Sequence, residues 1–203
     1  MKKVICGLAV LAALSSAQAF AHKEGDFIVR AGLASVVPND DSDETLGAKL
    51  EVDSNTQLGL TFGYMFTDNI SFEVLAATPF SHDISLQGVD IAETKHLPPT
   101  FMVQYYFGTS ESDFRPYVGA GINYTIFFDE KIDVAGTTLS LDDSLGLAAN
   151  IGLDYMINDD WFVNGSIWYA DIGTTAEIRG GIDADVDVDI DPWVFMISGG
   201  YKF

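Results

Sequence analysis

Two groups of residues in this chain carry side chains capable of chemistry. Ser81, His82, Asp83 and Ser85 lie close together, and His96 follows a little further on. Hydroxyl, imidazole and carboxylate are the parts of a hydrolytic triad. A triad, however, converges from separate fixed positions, whereas these groups are neighbours in one polar segment. No G-x-S-x-G, H-E-x-x-H or phosphate-binding loop is present, and Gly119-Ala120-Gly121 lies inside an apolar alternating run where glycine serves close packing. Catalytic residues and cofactors are therefore assigned as none. The second group is Asp183, Asp185, Asp187, Asp189 and Asp191, alternating with Ala184, Val186, Val188 and Ile190. Period two places all five carboxylates on one face of an extended strand. Carboxylates are hard ligands for Ca²⁺ or Mg²⁺, so the five are weak candidates for a divalent site. No EF-hand or calcium-binding repeat accompanies them, and a solvated acidic strand face is the preferred reading.

The elements that would carry these groups are strands. From Trp193 to Phe203 every second residue (Trp193, Phe195, Ile197, Gly199, Tyr201, Phe203) is apolar, aromatic or glycine. One face of that strand is fully apolar and runs to the terminal residue, where lipid can cover it if the sheet closes on itself. Eight such segments recur, at about 25–37, 56–66, 70–80, 99–108, 116–128, 143–156, 161–171 and 192–203. Leu58, Leu60, Phe62, Tyr64 and Phe66 form one face of the second, against Gln57, Gly59, Thr61, Gly63 and Met65. Segments of about ten residues suit tilted membrane strands. Connections alternate between short (67–69, 108–115, 158–160) and long (38–55, 81–98, 129–142, 173–191). Three short turns and four long loops predict an all-β fold, an eight-stranded antiparallel transmembrane barrel with both ends in the periplasm. Aromatics at the strand ends predict two interfacial girdles: Phe66, Tyr155, Trp161, Tyr201 and Phe203 below, and Phe80, Phe128, Tyr169 and Trp193 above. A secreted soluble barrel is the alternative, but it would turn its apolar residues inward.

Lys2 and Lys3, the apolar run Val4–Leu14 and the small-residue sites around Ala17 to Ala21 read as a secretory leader. Cleavage is expected after Ala21, leaving 22–203 as the barrel and removing Cys6, the one cysteine. Loss of the two lysines takes the formal charge from −20 to −22. That acidity excludes nucleic acid as a partner. Yet 48% of the residues are hydrophobic, too many for a disordered acidic chain. The four long loops hold 19 acidic residues against four basic ones.

The stretches TQLGLTFGYM (56–65), TDNI (67–70), LAATPF (75–80), HLPPT (96–100), FRPYVGAGINYT (114–125) and DPWVFM (191–196) resemble the OmpW family of outer-membrane proteins. The resemblance spans the expected mature chain and is weakest at 38–55, 129–142 and 173–191. It implies a bacterial outer-membrane location and a narrow hydrophobic channel linked to passage of small hydrophobic molecules. Some members are colicin or phage receptors. The positions matching Leu75 and Trp168 line the family's channel.

Alternation alone puts the less apolar register of each strand on the inside. Toward the periplasm this collects a polar floor of Asp26, Arg30, Glu73, Gln104, Asp154, Asn164 and Lys202. Above it stand Leu75, Ala77, Met102, Trp168, Val194 and Met196, the expected channel lining. Buried Glu73 and Asp154 require partners, and Arg30 and Lys202 are the expected ones. The reading that follows is a channel for small hydrophobic solutes with an apolar upper lumen, a charged floor and lateral exit into the bilayer. Pro38, Pro79, Pro98, Pro99 and Pro192 would loosen the wall at the outer rim. The alternative is a structural, adhesion or receptor barrel whose acidic loops engage divalent ions, lipopolysaccharide, colicin or phage. Membrane lipid, lipopolysaccharide and the barrel-insertion machinery, through Phe203, are the other expected partners.

Overall fold

The structure is a computed structural model that describes residues 21–39, 41–42, 50–86, 89–181 and 183–203. Of the expected leader, 1–21, residues 1–20 lie outside the described residues. Its strands are β1 (Phe27–Val37), β2 (Asp41–Ser42), β3 (Leu50–Val52), β4 (Asn55–Met65), β5 (Ile70–Ala77), β6 (Phe80–Leu86), β7 (Val89–Leu97), β8 (Thr100–Tyr106), β9 (Phe114–Ile132), β10 (Thr138–Leu141), β11 (Ser144–Met156), β12 (Trp161–Ala170), β13 (Gly173–Arg179), β14 (Ala184–Asp189) and β15 (Trp193–Lys202).

Eight of them close a barrel. The pairing order β11-β12-β15-β1-β4-β5-β8-β9 returns to β11, every neighbour antiparallel. These eight are the alternating segments of the sequence. Closure removes the sheet edges, the condition for spanning a bilayer with strands. Alternation then does the sorting. Leu33, Leu145, Leu147 and Ile197 are each at least 65% exposed and point outward, while Arg30, Thr61, Met102 and Asp154 on the other register are 1% exposed or less. An apolar outside around a partly polar inside is the arrangement that lipid stabilises and water does not.

Side-chain chemistry sets the short turns at the periplasmic end. The Thr67 hydroxyl accepts from the amides of Asn69 and Ile70 at 3.2 and 2.9 Å. The Asn158 side-chain oxygen accepts from Asp160 and Trp161 at 3.0 and 2.9 Å. Both are local mimics of a backbone turn. Gly108 takes φ +83° in the third.

The long connections are not loops, as the sequence reading expected, but further sheet. Above the membrane the upper end of β9 pairs with β7, and the order continues β7-β6-β3. A second sheet, β10-β13-β14-β2, faces it. Between them lies an apolar cluster that includes Ile84, Phe127, Leu141, Ile178, Val186 and Val188. Asp129 sits in the left-handed region (φ 55°) where the β7–β9 register slips by a residue at a bulge.

Phe80 corrects the expected upper girdle. Thr78-Pro79 breaks the ladder, and alternation restarts so that Phe80 faces the interior and is 2% exposed. Tyr169 and Trp193 do meet at the outer wall, with ring centroids 5.2 Å apart.

Candidate functional site: the layered interior

The lumen is built in layers, each the inward register of several strands at one height. At the periplasmic mouth, Lys202 Nζ lies 3.7 Å from Asp26 and donates to the Ala21 carbonyl at 3.0 Å. Above this comes a layer that sequence reading did not anticipate, packed from Ile28, Met65, Tyr106, Tyr117, Met156 and Phe162. Its aromatic members, Tyr106, Tyr117 and Phe162, occupy inward positions near the periplasmic ends of β8, β9 and β12. Glycine makes room for two of them. A methyl group on Gly152 would meet the Tyr117 ring, and one on Gly200 would meet the Phe162 ring.

The next layer is ionic. Arg30 pairs with Glu73 through Nη1 and with Asp154 through Nη2 at 2.7 Å and Nε at 3.3 Å. Nη2 also donates to the Tyr106 hydroxyl at 2.6 Å. The remaining carboxylate valences are taken up as well. Glu73 accepts from Thr61 at 3.0 Å and Gln104 at 2.7 Å, and Asp154 accepts from Asn164 at 2.7 Å. Lys202 does not join this layer as expected; it stays at the mouth with Asp26, because β15 places it at the height of Ile28. Its place beside Asp154 is taken by His22, whose Nε2 lies 2.7 Å from Oδ2. His22 lies outside any strand, so alternation gave no sign of it. Arg115 was missed too. It is fully buried at the periplasmic end, donating to the carbonyls of Phe107, His22 and Asp68 at 3.1, 3.0 and 2.6 Å. The polar layer is therefore a septum between two apolar layers, not a floor at the bottom.

Above the septum the lining turns apolar. Met102 and Met196 pack directly on it with Ala34, Leu75 and Trp168. Over them is a cavity of about 30 Å³ lined by Leu75, Ala77, Phe80, Trp168 and Val194, among others. All five channel-lining candidates thus face inward: Leu75, Trp168 and Val194 bound the cavity, while Met102 and Met196 do not line it but pack in the same buried cluster as Leu75 and Trp168. A second apolar cavity of about 40 Å³ lies between the two extracellular sheets, and His96 lines both.

The wall beside the lower cavity is interrupted. The β5–β8 ladder ends at Leu75–Thr100, and the β6–β7 ladder starts at Phe80–His96. Residues 76–79 and 97–99 therefore face each other outside either ladder, and three of these seven are proline. Proline cannot donate to a ladder, so the gap is written into the sequence.

The Ser81–Asp83 constellation does not assemble. On β6 the Ser81 and Asp83 side chains point away from the face that holds His82, and Ser81 donates to Glu93 at 2.8 Å. The acidic run is not an extension of the last barrel strand. Asp185, Asp187 and Asp189 lie exposed along β14, while Val186 and Val188 are buried beneath it. Asp185 pairs with Arg179 at 2.5 Å, and Asp187 accepts from Thr175 at 2.9 Å. Asp183 and Asp191 bind backbone amides, of Gly180 and Ile172, at 3.1 and 3.0 Å. Among the described residues no three His, Cys, Asp or Glu groups come together as a metal ion would require.

Outer membrane protein W of Vibrio cholerae is 69% identical over the full length of both chains. The crystal structure of OprG from Pseudomonas aeruginosa superposes with a TM-score of 0.85 at 47% identity, covering 93% of this chain and 99% of that one. A more distant relative, the dibenzothiophene metabolism operon protein PahQ of Pseudomonas aeruginosa, is 25% identical over 77% of this chain and 76% of its own. The OmpW family pattern matches residues 23–203, and with the closed barrel and its apolar belt this establishes the chain as a member of the OmpW family of bacterial outer-membrane proteins.

Proposed function

We propose that the barrel admits small hydrophobic molecules from outside and releases them sideways into the bilayer. The observation that carries this reading is the pairing of an apolar cavity with a septum beneath it. Arg30, Tyr106, Tyr117 and Asp154 are each 2% exposed or less, so the lumen is closed to water at their height. A solute that reaches Leu75 and Trp168 meets fixed charges below, and an apolar molecule gains nothing by displacing them. The interrupted wall between 76–79 and 97–99 opens from the same cavity and leads to lipid. Met102 and Met196, flexible and polarizable, suit a site that adapts to several shapes. The operon for which PahQ is named concerns dibenzothiophene, a fused apolar aromatic, and the apolar lining of the cavity is of matching polarity.

The outer barrier to such molecules is the lipopolysaccharide leaflet, so the test uses vesicles with lipopolysaccharide outside and phospholipid inside. Entry of naphthalene should be faster with the wild-type barrel than without it. Leu75→Arg, which puts a charge into the cavity, should abolish the gain while leaving the folded barrel intact. A hydrophilic solute of similar size should gain nothing from either protein. Equal gains for both solutes would mean an open aqueous pore. No gain for either would favour a receptor or adhesion platform, whose exposed Asp185, Asp187 and Asp189 face offers the contact surface. Lipopolysaccharide and, at the exposed Phe203, the barrel-insertion machinery are the further partners proposed.

A further inference from the structure

The upper cavity holds two polar atoms with nothing to bind. His82 Nε2 and Thr94 Oγ1 are buried and make no hydrogen bond, on residues 2% and 4% exposed. A buried polar atom left unsatisfied is destabilising, so both call for a partner. They are not scattered. His82 and Thr94 face each other directly across the β6–β7 pair, and both line the cavity between the extracellular sheets. The rest of its wall is largely aliphatic, with Ile84, Leu141, Ile178 and Val188 among its members.

The chemistry of the missing partner follows from the state of the imidazole. His82 Nδ1 faces the backbone carbonyl of Asp53, which can only accept, so Nδ1 carries the hydrogen. Burial pushes the His82 pKa down, and the ring is neutral at ordinary pH. Nε2 is then a bare lone pair aimed at an apolar chamber. His96 stacks on the same ring, centroids 4.9 Å apart and planes within 1°, and holds it in place. A ligand must donate to Nε2, and it can accept from the Thr94 hydroxyl opposite. One group does both, a hydroxyl.

We propose that this cavity recognises apolar molecules carrying a single hydroxyl, such as phenols and long-chain alcohols, with the hydroxyl between His82 Nε2 and Thr94 Oγ1. The inference rests on the proposed entry of hydrophobic solutes and names the class favoured among them. The cavity has room for the hydroxyl and its first carbons. The remainder of the molecule would lie past His96, toward the cavity bounded by Leu75 and Trp168.

The test is binding, not transport. Barrels with ¹⁵N-labelled imidazoles in lipid nanodiscs are titrated with 2-naphthol and with naphthalene, and empty nanodiscs give the lipid background. 2-Naphthol should move the His82 Nε2 resonance and bind about ten-fold tighter than naphthalene, the worth of one to two net hydrogen bonds. His82→Phe, which keeps a ring, and Thr94→Val, which keeps the shape, should each bring 2-naphthol toward the naphthalene value and leave naphthalene unchanged. Equal affinity for the two ligands in wild type would overturn the proposal. So would tight 2-naphthol binding that survives both substitutions. If vesicle entry fails but the His82 shift and its loss in the variants are seen, the passage reading falls and the hydroxyl site stands. If entry succeeds without discrimination between the two ligands, the site falls and the passage stands.

Discussion

Arg30 carries more of the interior than any other residue. It pairs with both buried carboxylates, Glu73 and Asp154, and its guanidinium also lies 5.6 Å from the centre of the Tyr117 ring. Arg30→Met removes the cation and leaves two carboxylates facing each other without it. Breaking a buried pair from one side costs about 3–5 kcal/mol, so this variant should unfold at markedly lower denaturant concentration. The triple variant Arg30→Met, Glu73→Gln, Asp154→Asn removes the charges together and should recover most of that loss. Urea titration followed by the heat-dependent gel shift of the barrel measures both; equal stability of single and triple variants would refute the account. The septum was legible in the sequence because strand alternation places Arg30, Glu73, Gln104 and Asp154 inward without further information. The wiring was not. His22 reaches the interior from a segment outside any strand and has no periodic signature, while Arg115 shares the inward register of β9 with Tyr117 but falls in the stretch 108–115 that the sequence reading assigned to a turn. Lys202 shares the inward register with Arg30's partners but sits at a different height, and height depends on strand stagger, which alternation does not report.

At the scale of elements, strand positions followed from hydrophobic period and turn residues, and the eight barrel strands end within a few residues of where the sequence placed them. What was hidden is the fate of the long connections. Segments 81–98 and 173–191 fold as the local hairpins β6–β7 and β13–β14, but the pairings that join these into sheets, β3–β6, β7–β9 and β10–β13, are between strands distant in sequence. The hairpin β6–β7 stands on two buried histidines, and this gives it an acid dependence. Burial holds the pKa of His96 down at about 3, against an ordinary value of 6.5, and the charge of His82 on the adjacent ring adds to that. His82 is lowered as well, though Asp53 and Asp83 act against its burial. Unfolded, His96 takes up a proton below about pH 6.5; folded, it stays neutral until near pH 3. Between those values the open state binds more protons, so the hairpin's stability is full above pH 6.5 and falls as the pH drops. From pH 7 to pH 5 the loss from His96 alone is about 2 kcal/mol. Protection factors of β6 and β7, with the slower intrinsic exchange in acid divided out, should therefore fall from pH 7 to pH 5, while those of the barrel strands β11 and β12 hold. His96→Phe should flatten the dependence. Unchanged protection of β6–β7 at pH 5 would show that the imidazoles are not buried as described.

At the scale of the molecule, a closed barrel has one structural problem if it is to deliver a solute to lipid: every strand is bonded to two neighbours, and opening the wall breaks a ladder. The break between Leu75–Thr100 and Phe80–His96 avoids this, since 76–79 and 97–99 lie outside either ladder. On the proposed route the two extracellular sheets supply the entrance, since an apolar chamber lies between them. The charge distribution is consistent with this division of labour. Asp185, Asp187 and Asp189 lie exposed on the extracellular layer, where they favour solubility, and among the described residues the large buried charge cluster is the neutralising septum. The expected mature chain has no cysteine, so a pair can be introduced on either side of the break without interference. With Ala77→Cys and Pro98→Cys joined by a short thiol-reactive cross-linker, naphthalene entry into lipopolysaccharide-coated vesicles should fall to the protein-free rate, and a cleavable linker should restore it on reduction. Naphthalene binding in nanodiscs should persist in the cross-linked protein, because the chamber is reached from above. Entry that continues at the wild-type rate across the sealed break would place the exit elsewhere, either through the septum or between a different pair of strands. Combining the cross-link with Arg30→Met separates those two, since only the axial route passes the septum.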